Sequence, residues 1–123
     1  MIRKGFTLLE LLLVLVILAL LAGLTFGLLH ASAESAKNRV TEIRIHTLGV
    51  QAATRVGLMG FPPATLEELA PKLEKPEWMK DGKFVDAWER PIEYRVDGKI
   101  FRIWSCGADG ISGTNDDLEY KRN

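Results

Sequence analysis

The chain has 123 residues, 47% of them apolar and 26% charged, and its 16 basic and 16 acidic side chains cancel to a formal net charge of zero. That length supports one small domain besides a membrane segment, and the balanced charge, without a basic patch, argues against nucleic acid as a partner. The single cysteine, Cys106, excludes an internal disulfide, and His30 and His46 stand too far from it for zinc-ligand spacing.

A short basic start at Arg3 and Lys4 leads into Gly5-Phe6-Thr7-Leu8-Leu9-Glu10, followed by an apolar, uncharged run over residues 11–29. A run of about 20 residues is what a membrane-crossing helix needs. It exceeds the roughly 7–15 apolar residues of a secretory signal. A plain anchor accounts for the length and for the basic flank, which suits a cytoplasmic N-terminus. It does not account for Glu10, because a carboxylate at mid-membrane costs roughly 2.5–3.5 kcal/mol. Thr7 reads as the N-cap of the helix. The segment resembles the class III signal of type IV pilins and type II secretion pseudopilins. That resemblance implies a prepilin peptidase that cuts between Gly5 and Phe6 and methylates the new amine of Phe6. Glu10 is then the assembly residue: in a filament its carboxylate meets the Phe6 amine of a neighbouring subunit.

Between Phe6 and Val56 no proline interrupts the chain. The pattern is apolar all round over residues 6–29 and amphipathic over residues 30–57. Ala33, Ala36, Val40, Ile43, Val50 and Ala53 recur at near-helical spacing, with Ile45, Leu48, Ala52 and Val56 beside them. Glu34, Lys37, Asn38, Arg39, Glu42 and Arg44 are polar. One long helix is therefore expected, its second half packed on a head over residues 58–123. Ala19, Gly23, Gly27 and Ala31 lie four apart, a spacing that lets neighbouring helices approach closely.

The helix is expected to end near residues 57–60, and Pro62-Pro63 blocks its restart. Thr65 with Glu68 has capping-box spacing, so a short helix to Ala70 is expected before Pro71. Residues 71–83 are charged and poor in periodicity, and read as a loop or another short helix. Residues 92–96 and 100–104 alternate in strand fashion around Asp97-Gly98-Lys99, a hairpin signal. Residues 118–120 can add a further strand. The fold class is α+β: a long N-terminal helix on a small antiparallel sheet.

Two more stretches carry signal. Asp86-Ala87-Trp88-Glu89-Arg90-Pro91-Ile92-Glu93-Tyr94 resembles the D-x-W-x-x-P-x-x-Y element of major pseudopilins, and its local reading is a turn whose Trp88 indole fills the core. Residues 105–117 place Asp109, Asp116 and Asp117 among glycines, hard oxygen donors that suit calcium over soft metals. An EF-hand is excluded, because Ile111, Gly113 and Tyr120 occupy positions where that loop needs ligands. The stretch resembles the calcium loop of major pseudopilins. Carried over, Asp109, Asp116 and Asp117 bind through side chains, and Cys106 and Ser112 through backbone carbonyls. Gly27 and Cys106 stand where that family commonly has proline and an apolar residue, and residues 70–86 match nothing in it.

The chain is thus identified as a member of the pilin-like superfamily, nearest to the major pseudopilins. The resemblance implies a non-enzymatic filament subunit in a bacterial inner membrane, single-pass, with its N-terminus cytoplasmic and its head periplasmic. The implied partners are copies of itself, other pseudopilins, the inner-membrane secretion platform, the prepilin peptidase and lipid, and the implied work is export of folded proteins. A type IV pilin or minor pilin-like subunit is the rival of the same architecture. A membrane-tethered hydrolase using paired aspartates is the rival from another class, and no nucleophile-base pair supports it.

Overall fold

The computed structural model describes residues 4–121; Arg3, half of the basic flank, lies outside them with the rest of residues 1–3. Helix α1 runs over Leu8–Met59. Thr7 caps it as expected: the Glu10 N–H donates to Thr7 Oγ1 at 3.2 Å, and the Leu11 N–H donates to the Thr7 carbonyl at 3.1 Å. No proline breaks the helix, and Gly60 ends it with φ of 83°, a left-handed position that glycine adopts without a Cβ penalty. By internal contacts the chain divides after Glu34 into an N-terminal helical unit and a head that begins at Ser35.

In the N-terminal unit every large apolar side chain from Leu8 to Leu29 stands 46–88% exposed. Such a surface does not fold on itself. It is long and apolar enough to cross a membrane.

In the head, α1 buries Thr41, Ile45, Leu48, Gly49 and Ala52. This corrects the expected face: Val40, Ile43 and Val50 are 41–60% exposed, and the buried stripe is the neighbouring one. Two small or polar residues explain the rotation. Thr41 Oγ1 accepts the Ala87 N–H at 3.0 Å, and a Cβ on Gly49 would come within 2.2 Å of the Tyr120 ring. A periodicity search that scores only bulky apolar residues passes over both.

After α1, Pro62 and Pro63 are buried, and a 3₁₀ turn over Leu66–Leu69 runs directly into helix α2 over Ala70–Leu73. The Glu68 carboxylate accepts the Ala64 and Thr65 N–H groups at 3.1 and 3.4 Å, so the capping reading holds. Pro71 does not stop the helix. It opens α2, whose first turn needs no donor there. A second 3₁₀ turn, Pro76–Trp78, leads to a hairpin of β1 (Met79–Lys80) and β2 (Lys83–Phe84) in the stretch expected to be loop or helix. Asp81 and Gly82, with φ of 51° and 76°, make its two-residue turn.

The main sheet is antiparallel in the order β3-β4-β5, with β3 over Glu93–Asp97, β4 over Ile100–Ser105 and β5 over Leu118–Glu119. Asp97 pairs with Ile100 across the Gly98-Lys99 turn. The core joins Ile45, Leu48 and Ala52 of α1 to Leu66, Leu69, Phe84, Ile92 and Ile103. Each large side chain so buried contributes about 1.5–3 kcal/mol. Tyr120 closes one end: its ring stacks on Phe101 at 5.9 Å and meets His46 edge-on at 6.0 Å.

Candidate functional site

The first site is the chain's start. Gly5, Phe6 and Thr7 precede the helix as exposed, non-helical residues, and Phe6 is 83% exposed. The Gly5–Phe6 bond therefore lies in an exposed, non-helical stretch. Glu10 lies in the first turn of α1, where the helix dipole favours an acid, and its side chain is exposed.

The D-x-W element is organised by its aspartate. Asp86 is 1% exposed, yet its carboxylate is fully engaged. Oδ1 accepts the Trp88 and Arg90 N–H groups, each at 3.0 Å, and Oδ2 accepts the Ser105 hydroxyl at 2.7 Å. Burying a carboxylate is tolerable when several donors replace its water. Trp88 is only half-buried and lies outside the core cluster, which corrects its expected role. Arg44 of α1 donates to the carbonyls of Val85 and Asp86 at 2.7 and 3.2 Å, and so ties the turn to the helix.

Residues 106–117 form the second candidate site. The loop turns at Gly107, Gly110 and Gly113, all with positive φ, and its two arms touch: a Cβ on Gly107 would lie 1.9 Å from the Asp116 carbonyl oxygen. Asp109 Oδ1 accepts the Ile111 N–H at 3.0 Å. Asp117 Oδ2 accepts the Gly113 N–H at 2.6 Å, and its Oδ1 lies 3.4 Å from the Thr114 hydroxyl. The Ile111 amide, then the Thr114 hydroxyl, hold the Asp109 carboxyl below its usual range. Asp109 and Asp117 therefore meet round one hydroxyl. Among the described residues no three His, Cys, Asp or Glu side chains gather as a metal-binding group.

Cys106 and Ser112 flank this centre. Burial, then the nearby Asp117 charge, push the Cys106 thiol up, while a hydrogen bond with Ser112 works the other way. The Trp104 indole N–H donates to Ser112 Oγ at 3.2 Å. Carboxylates, a hydroxyl and backbone carbonyls are hard oxygen donors, so the residue types of this loop suit calcium over a soft metal. Arg90, which no motif singled out, also enters the loop. Its guanidinium donates to the Gly107 and Ala108 carbonyls at 2.8 and 2.9 Å. Spacing alone could not reveal this, because 17 positions separate donor and acceptor.

Comparison with known proteins bears on both sites. Residues 1–26 match the family model described as the prokaryotic N-terminal methylation motif. The chain is 33% identical to the type II secretion system core protein G of Pseudomonas aeruginosa over 128 aligned positions, 93% of this chain and 89% of that protein. No solved structure matches. With the prepilin-type start, the long helix and the small antiparallel head on one chain, the protein belongs to the type II secretion core protein G family, the major pseudopilins.

Proposed function

We propose that this chain is the body subunit of a periplasmic pseudopilus and does no catalysis. The peptidase cuts the Gly5–Phe6 bond at the cytoplasmic face and methylates Phe6. The processed chain waits in the inner membrane as a single span with its head in the periplasm. It then polymerises with copies of itself and with other pseudopilins on the inner-membrane platform, and growth of the filament drives export of folded proteins. The single observation that carries this reading is Glu10, an exposed acid at the head of a helix whose other side chains to Leu29 are uncharged. Pairing with the Phe6 amine of a neighbour gives that acid a partner. Coulomb attraction is strong in so apolar a setting, but desolvation consumes much of it, so the pair sets register more than stability.

Calcium belongs to the same proposal. Asp109, Asp116 and Asp117 hold it through carboxylates, and the carbonyls of Cys106 and Ser112 add hard ligands. Bound there, calcium cross-links the two arms of the loop. A membrane-tethered hydrolase using paired aspartates is the alternative from another class, and no nucleophile-base pair supports it.

N-terminal sequencing or intact-mass analysis of membrane fractions tests the main reading. The expected mature chain begins at Phe6 and carries one methyl group. A chain that keeps Met1, or that begins beyond residue 29, sinks it.

A further inference from the structure

Arg90 has no place among the proposed calcium ligands, yet its guanidinium lies inside their loop. We propose that Arg90 is a resident cation of residues 107–110, a positioning residue that keeps this arm of the loop closed without metal. Three observations carry this.

The side chain starts from a fixed place. The Arg90 N–H donates to Asp86 Oδ1 at 3.0 Å, and the Asp86 N–H donates to the Arg90 carbonyl at 2.8 Å. Asp86 is bound in turn to the Ser105 hydroxyl, whose oxygen accepts the Gly107 N–H at 3.2 Å. The preceding residue, Glu89, holds a left-handed φ of 61°, a strained choice for a residue with a Cβ. The turn accepts that strain and aims Arg90 at the loop.

The guanidinium then takes two consecutive carbonyls, Gly107 and Ala108, with its two terminal nitrogens at 2.8 and 2.9 Å. A planar fork with a permanent charge does this, and the point charge of a lysine cannot reproduce it. A metal ion would treat carbonyls in the same way. The fit is also tight: a Cβ on Gly110 would stand 2.3 Å from Nη1 and 2.8 Å from Cζ, so the guanidinium lies directly against the glycine backbone.

Lastly, the loop carries Asp109, Asp116 and Asp117 within a few residues. The fixed positive charge of Arg90, on the Gly107 and Ala108 carbonyls, stands in the same loop as these acids. The loop therefore has two arms with separate supports. Arg90 holds residues 107–110, and Asp117 with Thr114 holds residues 113–117, while the proposed calcium would join the two. The role of Arg90 stands whether or not calcium binds.

The test uses the full chain in detergent micelles with a chelator present, and reads thermal melting together with amide hydrogen exchange. Arg90→Gln should lower the melting temperature by roughly 5–10 °C. It should also speed exchange across residues 107–111 roughly tenfold or more, leaving the β3–β4 hairpin unchanged. Arg90→Lys, which keeps the charge and loses the fork, should recover less than half of the exchange protection, and it decides the matter if the glutamine variant does not fold. Because the role includes charge, Arg90→Gln should cost less in an Asp109→Asn background than in the native one. Unchanged exchange in either Arg90 variant overturns the proposal, and so does an equal loss in both backgrounds. Calcium added to the native chain reads the metal proposal separately, so the two failures can be told apart.

Discussion

Glu10 and Asp86 are both acids set among apolar neighbours, and they are handled in opposite ways. Asp86 lies inside the head and takes hydrogen bonds from Trp88, Arg90 and Ser105, all within its own chain. Glu10 stands exposed on a helix whose large apolar side chains are exposed as well. An acid whose needs are met internally is part of the fold. One left on an apolar surface that no other part of its unit covers is a demand on something outside the chain, which the proposed assembly meets with a second subunit. The same contrast holds for whole regions: the head buries Thr41, Asp86 and Ser105 with hydrogen-bond partners, whereas the N-terminal unit exposes its large apolar side chains.

The largest effect should come from the acid that looks outward. Glu10→Ala should allow cleavage and abolish filaments, while the melting temperature of the head stays unchanged. Immunoblots, electron microscopy of overproduced chain and a melting curve read the three parts. Normal filaments would erase the contrast with Asp86.

Asp86→Ala should do the reverse. Removing a buried acceptor strands three donors at a cost of about 3–5 kcal/mol, a fall in melting temperature of roughly 12 °C or more. A fall of less than about 3 °C would mean that the turn is held by other contacts, with Arg44 and Thr41 the first to examine.

Calcium sharpens the comparison with a third kind of acid, one whose needs are met partly from within. At a hundredfold above its dissociation constant the ion should add about 2.7 kcal/mol. Asp117→Ala or Asp109→Ala should remove that melting shift, and Asp97→Ala, in the β3–β4 turn, should leave it. An identical melting temperature in calcium and in chelator would leave residues 106–117 as a loop closed by protein groups alone.

The smallest effect concerns Glu68, paired with Arg55 at the surface of the head. Desolvation pushes its carboxyl up, but the hydrogen bond and charge of Arg55, with the Thr65 and Ala64 amides, bring it below its usual 4.5. A carboxyl lowered on folding contributes stability that is present above 4.5 and lost as pH falls through the folded value. Melting temperatures of native chain and Glu68→Gln should therefore differ at about pH 7 and converge below 4.5. A gap that persists undiminished at pH 3 would show that the carboxylate's charge is not what the amides and Arg55 hold.

Elements that depend on local pattern were legible in the sequence. The capped helix start at Thr7, the β3–β4 hairpin around Gly98 and strand β5 all follow from nearest neighbours. The β1–β2 hairpin carried its own signal, Asp81-Gly82, but two-residue strands leave no alternation to notice. What stayed hidden depends on partners far along the chain. The buried face of α1 is chosen by Ala87 and Tyr120, and the buried Asp86 takes its third donor from Ser105, nineteen positions on. At the C-terminal loop, residue types indicated hard oxygen chemistry. They could not indicate that Arg90 would arrive.

The seat of Tyr120 against Gly49 has a kinetic meaning. These residues are about seventy positions apart, so joining them closes a long loop whose entropy must be spent before the contact gives anything back. The β3–β4 hairpin, with its two-residue turn, and the α1 helix can each form from local contacts alone. The aromatic stack of Phe101, Tyr120 and His46 forms only when both are present and the last strand has paired. Folding of the head should therefore finish at its C-terminal clasp, and substitutions at Gly49 should act chiefly on the unfolding rate, leaving the early steps to the hairpin.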